Sequence, residues 1–141
     1  MAAGRRSRAV VPHVVLYIDS KPEVVQRAKT VFATAPRPVQ CLALSLEEAM
    51  TQFAKEELSG VRLVVFFLDN ARPDLGQAIV QASNLVHFLQ RRRDQPALDL
   101  WVSTKNSKAS NALLIAGCRK TLFLAPSEQD LENVVRRLTA R

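Results

Sequence analysis

Six consecutive apolar residues, Leu63 to Leu68, β-branched and aromatic in part, stop abruptly at Asp69-Asn70-Ala71-Arg72-Pro73-Asp74. No polar residue interrupts the run, so it reads as a strand buried on both faces, the kind found inside a parallel sheet with helices on either side. The acid and the turn-forming residues after it set a carboxylate at the strand's carboxyl end. Open α/β sheets bind their ligands at that end.

The rest of the chain alternates around this strand. Val14 to Ile18 is a second apolar run closed by an acid, Asp19. Asp19 or Ser20 is placed to cap the helix that follows, with Pro22 in its first turn and Glu23 at the positive end of its dipole. Val24, Val25, Ala28, Val31 and Phe32 give that helix one apolar face. A short strand, 39–44, leads into Ser45-Leu46-Glu47-Glu48, a capping-box pattern, and a second helix whose buried stripe is expected to be Leu46, Ala49, Met50 and Phe53. A third helix over about 75–92 presents Leu75, Ala78, Ile79, Ala82, Leu85, Val86 and Leu89 on one face. It runs into Arg91-Arg92-Arg93, cations that suit a helix carboxyl end without any ligand. A fourth strand, 98–102, breaks into Ser103-Thr104-Lys105-Asn106-Ser107. A short helix, about 108–116, stops at Gly117, a fifth strand spans 121–124, and Ser127 to Asp130 cap a last helix with Leu131, Val134, Val135 and Leu138 inward.

Five strands alternating with five helices predict a single α/β domain: a doubly wound, flavodoxin-like parallel sheet of order 2-1-3-4-5 spanning 12–141, after a basic tail at 1–11. That order sets the ends of strands one and three side by side. Asp19 and Asp69 are therefore expected to meet in one crevice, with Ser103 and Thr104 facing them.

Composition narrows the function classes. At 141 residues and 48% hydrophobic the chain suits one packed domain. No stretch approaches the ~18 apolar residues of a membrane span, and the first apolar run lacks a cleavage site, so a cytoplasmic protein is expected. The net charge of +7 admits nucleic acid as a partner, but the charges are scattered and aromatics for stacking are few. Cys41 and Cys118 fit no metal motif and read as buried free thiols. His13 and His87 complete no nucleophilic arrangement, and the loop after strand one is not a phosphate-binding loop. Two carboxylates near a hydroxyl can hold Mg²⁺, or one can receive a phosphoryl group. The alternative is that each acid simply ends a strand in solvent.

In this order the segments from about 13 to 141 resemble the receiver domain of two-component response regulators. Val15 to Glu23 is similar to the acidic loop after that family's first strand, Asp69 stands four residues before Pro73 as the phospho-accepting Asp does, and Ala116-Gly117 followed by Leu122 to Pro126 resembles the segment that normally ends in Lys-Pro. The resemblance implies Asp69 as phospho-acceptor equivalent, Asp19, Asp69 and the Ala71 carbonyl as ligands for a weak Mg²⁺ if any cofactor is bound, and Ser103 or Thr104 as switch hydroxyl. Three positions depart from the pattern. Ser20 replaces the second acid, Ala125 the phosphate-binding Lys, and Leu122 the aromatic switch residue. Two carboxylates without that Lys leave the pocket formally at −2, with Lys21, Arg72 and Lys105 as candidate substitute cations or solvated loop residues. The expectation is a pseudo-receiver, not an enzyme, acting through protein contact. Its partner would be an acidic protein or a second copy, held by the face of helix four, strand five and helix five, with Lys105, Lys108, Arg119, Lys120, Arg136 and Arg137. Output is expected to go through another molecule, or through a larger polypeptide from which the domain was cut. The alternatives are a stand-alone regulator phosphorylated on Asp69 with Mg²⁺, and a basic nucleic-acid-binding domain using Arg91 to Arg93.

Overall fold

The structure is a computed structural model and describes residues 14–36, 38–54, 61–91, 98–122 and 127–139. The five strands are β1 (Val14–Ile18), β2 (Gln40–Leu44), β3 (Val61–Phe67), β4 (Asp99–Ser103) and β5 (Lys120–Leu122). They alternate with α1 (Pro22–Ala33), α2 (Leu46–Ala54), α3 (Leu75–Gln90), α4 (Ser107–Ala116) and α5 (Glu128–Thr139). All pairings are parallel in the order β2-β1-β3-β4-β5, with Ile18 beside Phe66 and Phe67 beside Ser103.

The apolar runs are continuous because the sheet has two covered faces. Leu16 and Ile18, Val64 and Phe66, Leu100 and Val102 point to a core under α2, α3 and α4. Val15 and Tyr17, Val65 and Phe67, and Trp101 point the other way, to a core under α1 and α5. Alternation along a strand serves two cores instead of one core and solvent.

Local signals place the helices. At α2 the capping box forms in both directions: Glu48 N donates to Ser45 Oγ at 3.0 Å and Ser45 N to Glu48 Oε1 at 2.9 Å. Asp130 N donates to Ser127 Oγ at 3.1 Å at the start of α5. Gly117 ends α4 at φ 143°, and a Cβ there would stand 2.7 Å from the Gln90 side chain, so only glycine satisfies both the turn and the close approach.

Three expectations are corrected. Neither Asp19 nor Ser20 caps α1: the cap is Lys21, without a side-chain bond, and Pro22 supplies the first turn. Met50 is 43% exposed rather than buried, because Leu46, Ala49 and Phe53 already fill the inward face of α2. α3 ends at Gln90, with Arg91 as its cap. Arg92 and Arg93, the tail, Ala125 and the end of the fifth strand lie outside the described residues. Cys41 and Cys118 are free and buried, and burial pushes both thiols up to about 12, too high for a nucleophile near neutral pH.

Candidate functional site

Two loops, one after β1 and one after β3, face each other because their strands are neighbours in the sheet. Asp19 takes a left-handed backbone, φ 61°, which Asp tolerates better than most residues. Its N–H donates to Leu44 O at 2.6 Å, which ties the turn to β2. In the second loop Asp69 organises its own turn: Ala71 N donates to Asp69 Oδ1 at 3.0 Å and Arg72 N to Asp69 O at 3.0 Å.

Each loop contributes one base that reaches an acid of the other, so two of the pairs cross. Lys21 Nζ from the first loop lies 3.0 Å from Asp69 Oδ2 in the second. Arg72 from the second loop forms an ion pair with Asp19 in the first. Asp19 Oδ2 is buried and without a hydrogen-bond partner, so the guanidinium is its charge partner. Arg72 also holds Asp74 through Nε at 2.5 Å and Nη2 at 3.1 Å, a bidentate fork. Lys21 and Arg72 both contact the acids, and with Asp74 the set places three carboxylates against two cations.

Electrostatics follow this geometry. The Ala71 N–H first, then the Lys21 ammonium, hold the Asp69 carboxyl below the usual carboxylate range. Hydrogen bonding to Arg72 lowers Asp74 in the same way. Beside the Asp19–Arg72 pair a cleft of about 270 Å³ opens, lined also by Asp74, Ser45, Glu47 and Gln77. A larger groove, about 430 Å³, runs between α1 and α5 at the opposite end of α1 and contains neither Asp19 nor Asp69.

The expected switch hydroxyls lie at the neighbouring strand end. Ser103 and Thr104 are buried. Thr104 Oγ1 accepts from Asn106 N at 3.1 Å, a turn within its own loop. Asn106 does more than the sequence reading assigned to it. Its Oδ1 caps α4 by accepting from Ala109 N at 2.9 Å, and its Nδ2 donates to Asn70 Oδ1 at 3.0 Å. That second bond joins the loop after β4 to the loop that carries Asp69. Ala71 meets Asp69 through its N–H.

The expected basic face is partly occupied by its own chain. Arg119 binds Asp99 through Nε at 2.9 Å and Nη2 at 2.5 Å, and Arg137 stands 3.9 Å from the same carboxylate. Burial raises the Asp99 carboxyl, but the Arg119 bond and charge outweigh it, so the group sits below the usual range. Lys120 lies over the Trp101 ring at 4.7 Å from its centre. Lys105, Lys108 and Arg136 are exposed, as are His87 and Arg91.

The five-stranded parallel sheet of this order, with helices on both faces, is the flavodoxin-like fold that CheY-like proteins share. No family model matches the chain. No curated protein matches it. Among solved structures it is similar to a CheY-like protein (TadZ) from Pseudomonas aeruginosa PAO1, at 19% identity and a TM-score of 0.64 over 92% of this chain and 94% of that one. A putative response regulator from Chloroflexus aurantiacus J-10-fl matches at 23% identity and a TM-score of 0.61, covering 92% of this chain and 99% of that one. The Mn²⁺-bound form of response regulator Rcp1 matches at 16% identity and a TM-score of 0.59, covering 90% and 91%.

Rcp1 is thus a protein of this fold that holds a divalent cation. The residues present here do not fit one. A hard cation needs several free oxygen donors, whereas the Asp19 and Asp69 carboxylates are each in contact with a cationic side chain. Among the described residues no three His, Cys, Asp or Glu side chains are grouped to hold a metal.

Proposed function

We propose that the chain is a receiver-like signalling module that acts through protein contact, its phosphoryl switch replaced by a fixed set of ion pairs. The observation that carries this reading is the crossed pairing of Lys21 with Asp69 and of Arg72 with Asp19. A phosphoryl acceptor needs a free carboxylate oxygen and a metal to offset the charge that accumulates on transfer. In this chain the oxygens are engaged and the second acid of the family pattern is Ser20. The Asn106–Asn70 bond supports the same reading, because it holds the loop after β4 against the acid-bearing loop without any ligand.

Output then rests on a surface that is always present. Lys105, Lys108 and Arg136 are exposed cations of the α4, β5 and α5 side, and with the exposed Arg119 and Arg137 they fit an acidic protein surface through steering and rim contacts. Arg119, Lys120 and Arg137 shape that side while bound to Asp99 and Trp101. The test is incubation with acetyl phosphate and Mg²⁺ followed by intact-mass measurement. The mass is expected to stay unchanged. A gain of one phosphoryl group that disappears in Asp69→Asn would show a working acceptor and overturn the proposal.

A further inference from the structure

The two helical layers differ in their outer surfaces. Among the described residues the exposed large apolar side chains are Met50, Val80, Phe88, Leu114 and Ile115, and all of them lie on α2, α3 and α4. Ile115 is 85% exposed, an extreme value for a β-branched side chain with nothing polar to offer water. Charge is distributed the opposite way. None of the sixteen residues of α3 is Asp, Glu, Lys or Arg, and α4 carries Lys108 alone. On the opposite layer the exposed turns are charged, from Glu23, Arg27 and Lys29 on α1 to Arg136 and Arg137 on α5.

α3 and α4 form one surface. Gln90 Nε2 donates to Gly117 O at 2.9 Å and fixes the carboxyl ends of the two helices together. Val80, Asn84 and Phe88 follow one another at four-residue spacing along the exposed side of α3, the ridge that helices use to pack on one another. Asn111 and Ile115 repeat that spacing on α4. The polar groups among them are amides, which hydrogen-bond across a contact without bringing charge into it.

We infer that the outer face of α3 and α4 is where two copies of this chain meet. A chain of net charge +7 repels its own copies across its charged surfaces. This face contributes almost nothing to that repulsion, and depletion of charge marks the cores of protein contacts. The ends of α3 fit the same occupant. Asp74 caps its amino end and Arg91 its carboxyl end, so a twofold, antiparallel pairing sets Arg91 near the second copy's Asp74 and opposes the helix dipoles. An acidic partner, by contrast, is recognised by clustered cations, and this face offers only Lys108 and, at the end of α3, Arg91.

The experiment is sedimentation velocity on the whole chain over a concentration series at low and high salt. The expected result is a dimer at twice the monomer mass that persists or strengthens as salt screens the net charge. Ile115→Lys and Val80→Lys are each expected to weaken it at least tenfold, Ile115→Ser less, with each variant still melting cooperatively as a folded monomer because both positions are exposed in the single chain. A monomer at every concentration overturns the inference. So does a dimer indifferent to all three substitutions, or one lost when Arg136 and Arg137 are neutralised, which would move the contact to the basic side. None of the three substitutions lies in the acid crevice, so failure of this inference leaves the proposed function to its own test.

Discussion

Replacing Lys21 and Arg72 together by alanine is expected to strengthen the binding of divalent cations in the crevice. At 3.0 Å the Lys21–Asp69 attraction is about 1.4 kcal/mol in bulk water. The two side chains are 44% and 28% exposed, and exposed pairs contribute about 1 kcal/mol or less once ordering and screening are counted. The Arg72–Asp19 pair is more shielded, at 24% and 22% exposure, and about 1 kcal/mol is a conservative value for it. A metal entering the wild-type crevice must displace both cations, a penalty of about 2 kcal/mol, or about 30-fold in affinity. Calorimetric titration with Mg²⁺ should therefore show the double variant binding about 30-fold more tightly than wild type. Without metal the variant should also be less stable, since its carboxylates are left unpaired. Equal metal affinity in the two proteins would refute the reasoning.

Two further outcomes follow from the ion pairs and caps. Asp99→Asn removes the charge that Arg119 hydrogen-bonds and Arg137 faces and should lower stability in urea near pH 7 by about 1–2 kcal/mol. Because the folded Asp99 pKa is depressed, its contribution is full above the unfolded value of about 3.9. It is lost as pH falls through the lower folded value, so the gap between wild type and variant should close in strong acid. Ser45→Ala breaks one arm of the capping box at α2 and should cost about 1 kcal/mol, read from the urea midpoint. Glu48→Ala on top of it should add less than it does alone, because the two bonds act as a unit.

The framework was legible because it depends on runs and periods. Leu63 to Leu68 announces a strand with no wet side, and the structure puts its alternate residues into two different cores. Ser45 and Glu48 announce a helix start and form both bonds of the motif. The strand order then brings the loops after β1 and β3 together, as the position of the two acids led us to expect. What spacing does not carry is the partner of each charge. That Lys21 reaches Asp69 while Arg72 reaches Asp19 depends on the left-handed turn at Asp19 and on side-chain reach between loops distant in sequence. The Asn106–Asn70 bond is non-local in the same way. The cap at Asn106 had a readable signal, an Asn before the first helical residue, hidden in a run of polar residues that reads equally as a loop. Met50 shows the limit of an apolar stripe: α2 is short, and three residues complete its inward face.

The claim that ion pairs have replaced a switch is tested most directly by following backbone amides of the labelled protein by NMR, first with Mg²⁺ and then with added beryllofluoride. The account predicts that Asp19, Asp69, Asn70, Ala71 and Thr104 stay in place through both additions. Saturable shifts at these positions that spread into α4 and β5 would contradict it and reveal a crevice that still takes a metal and a phosphoryl group.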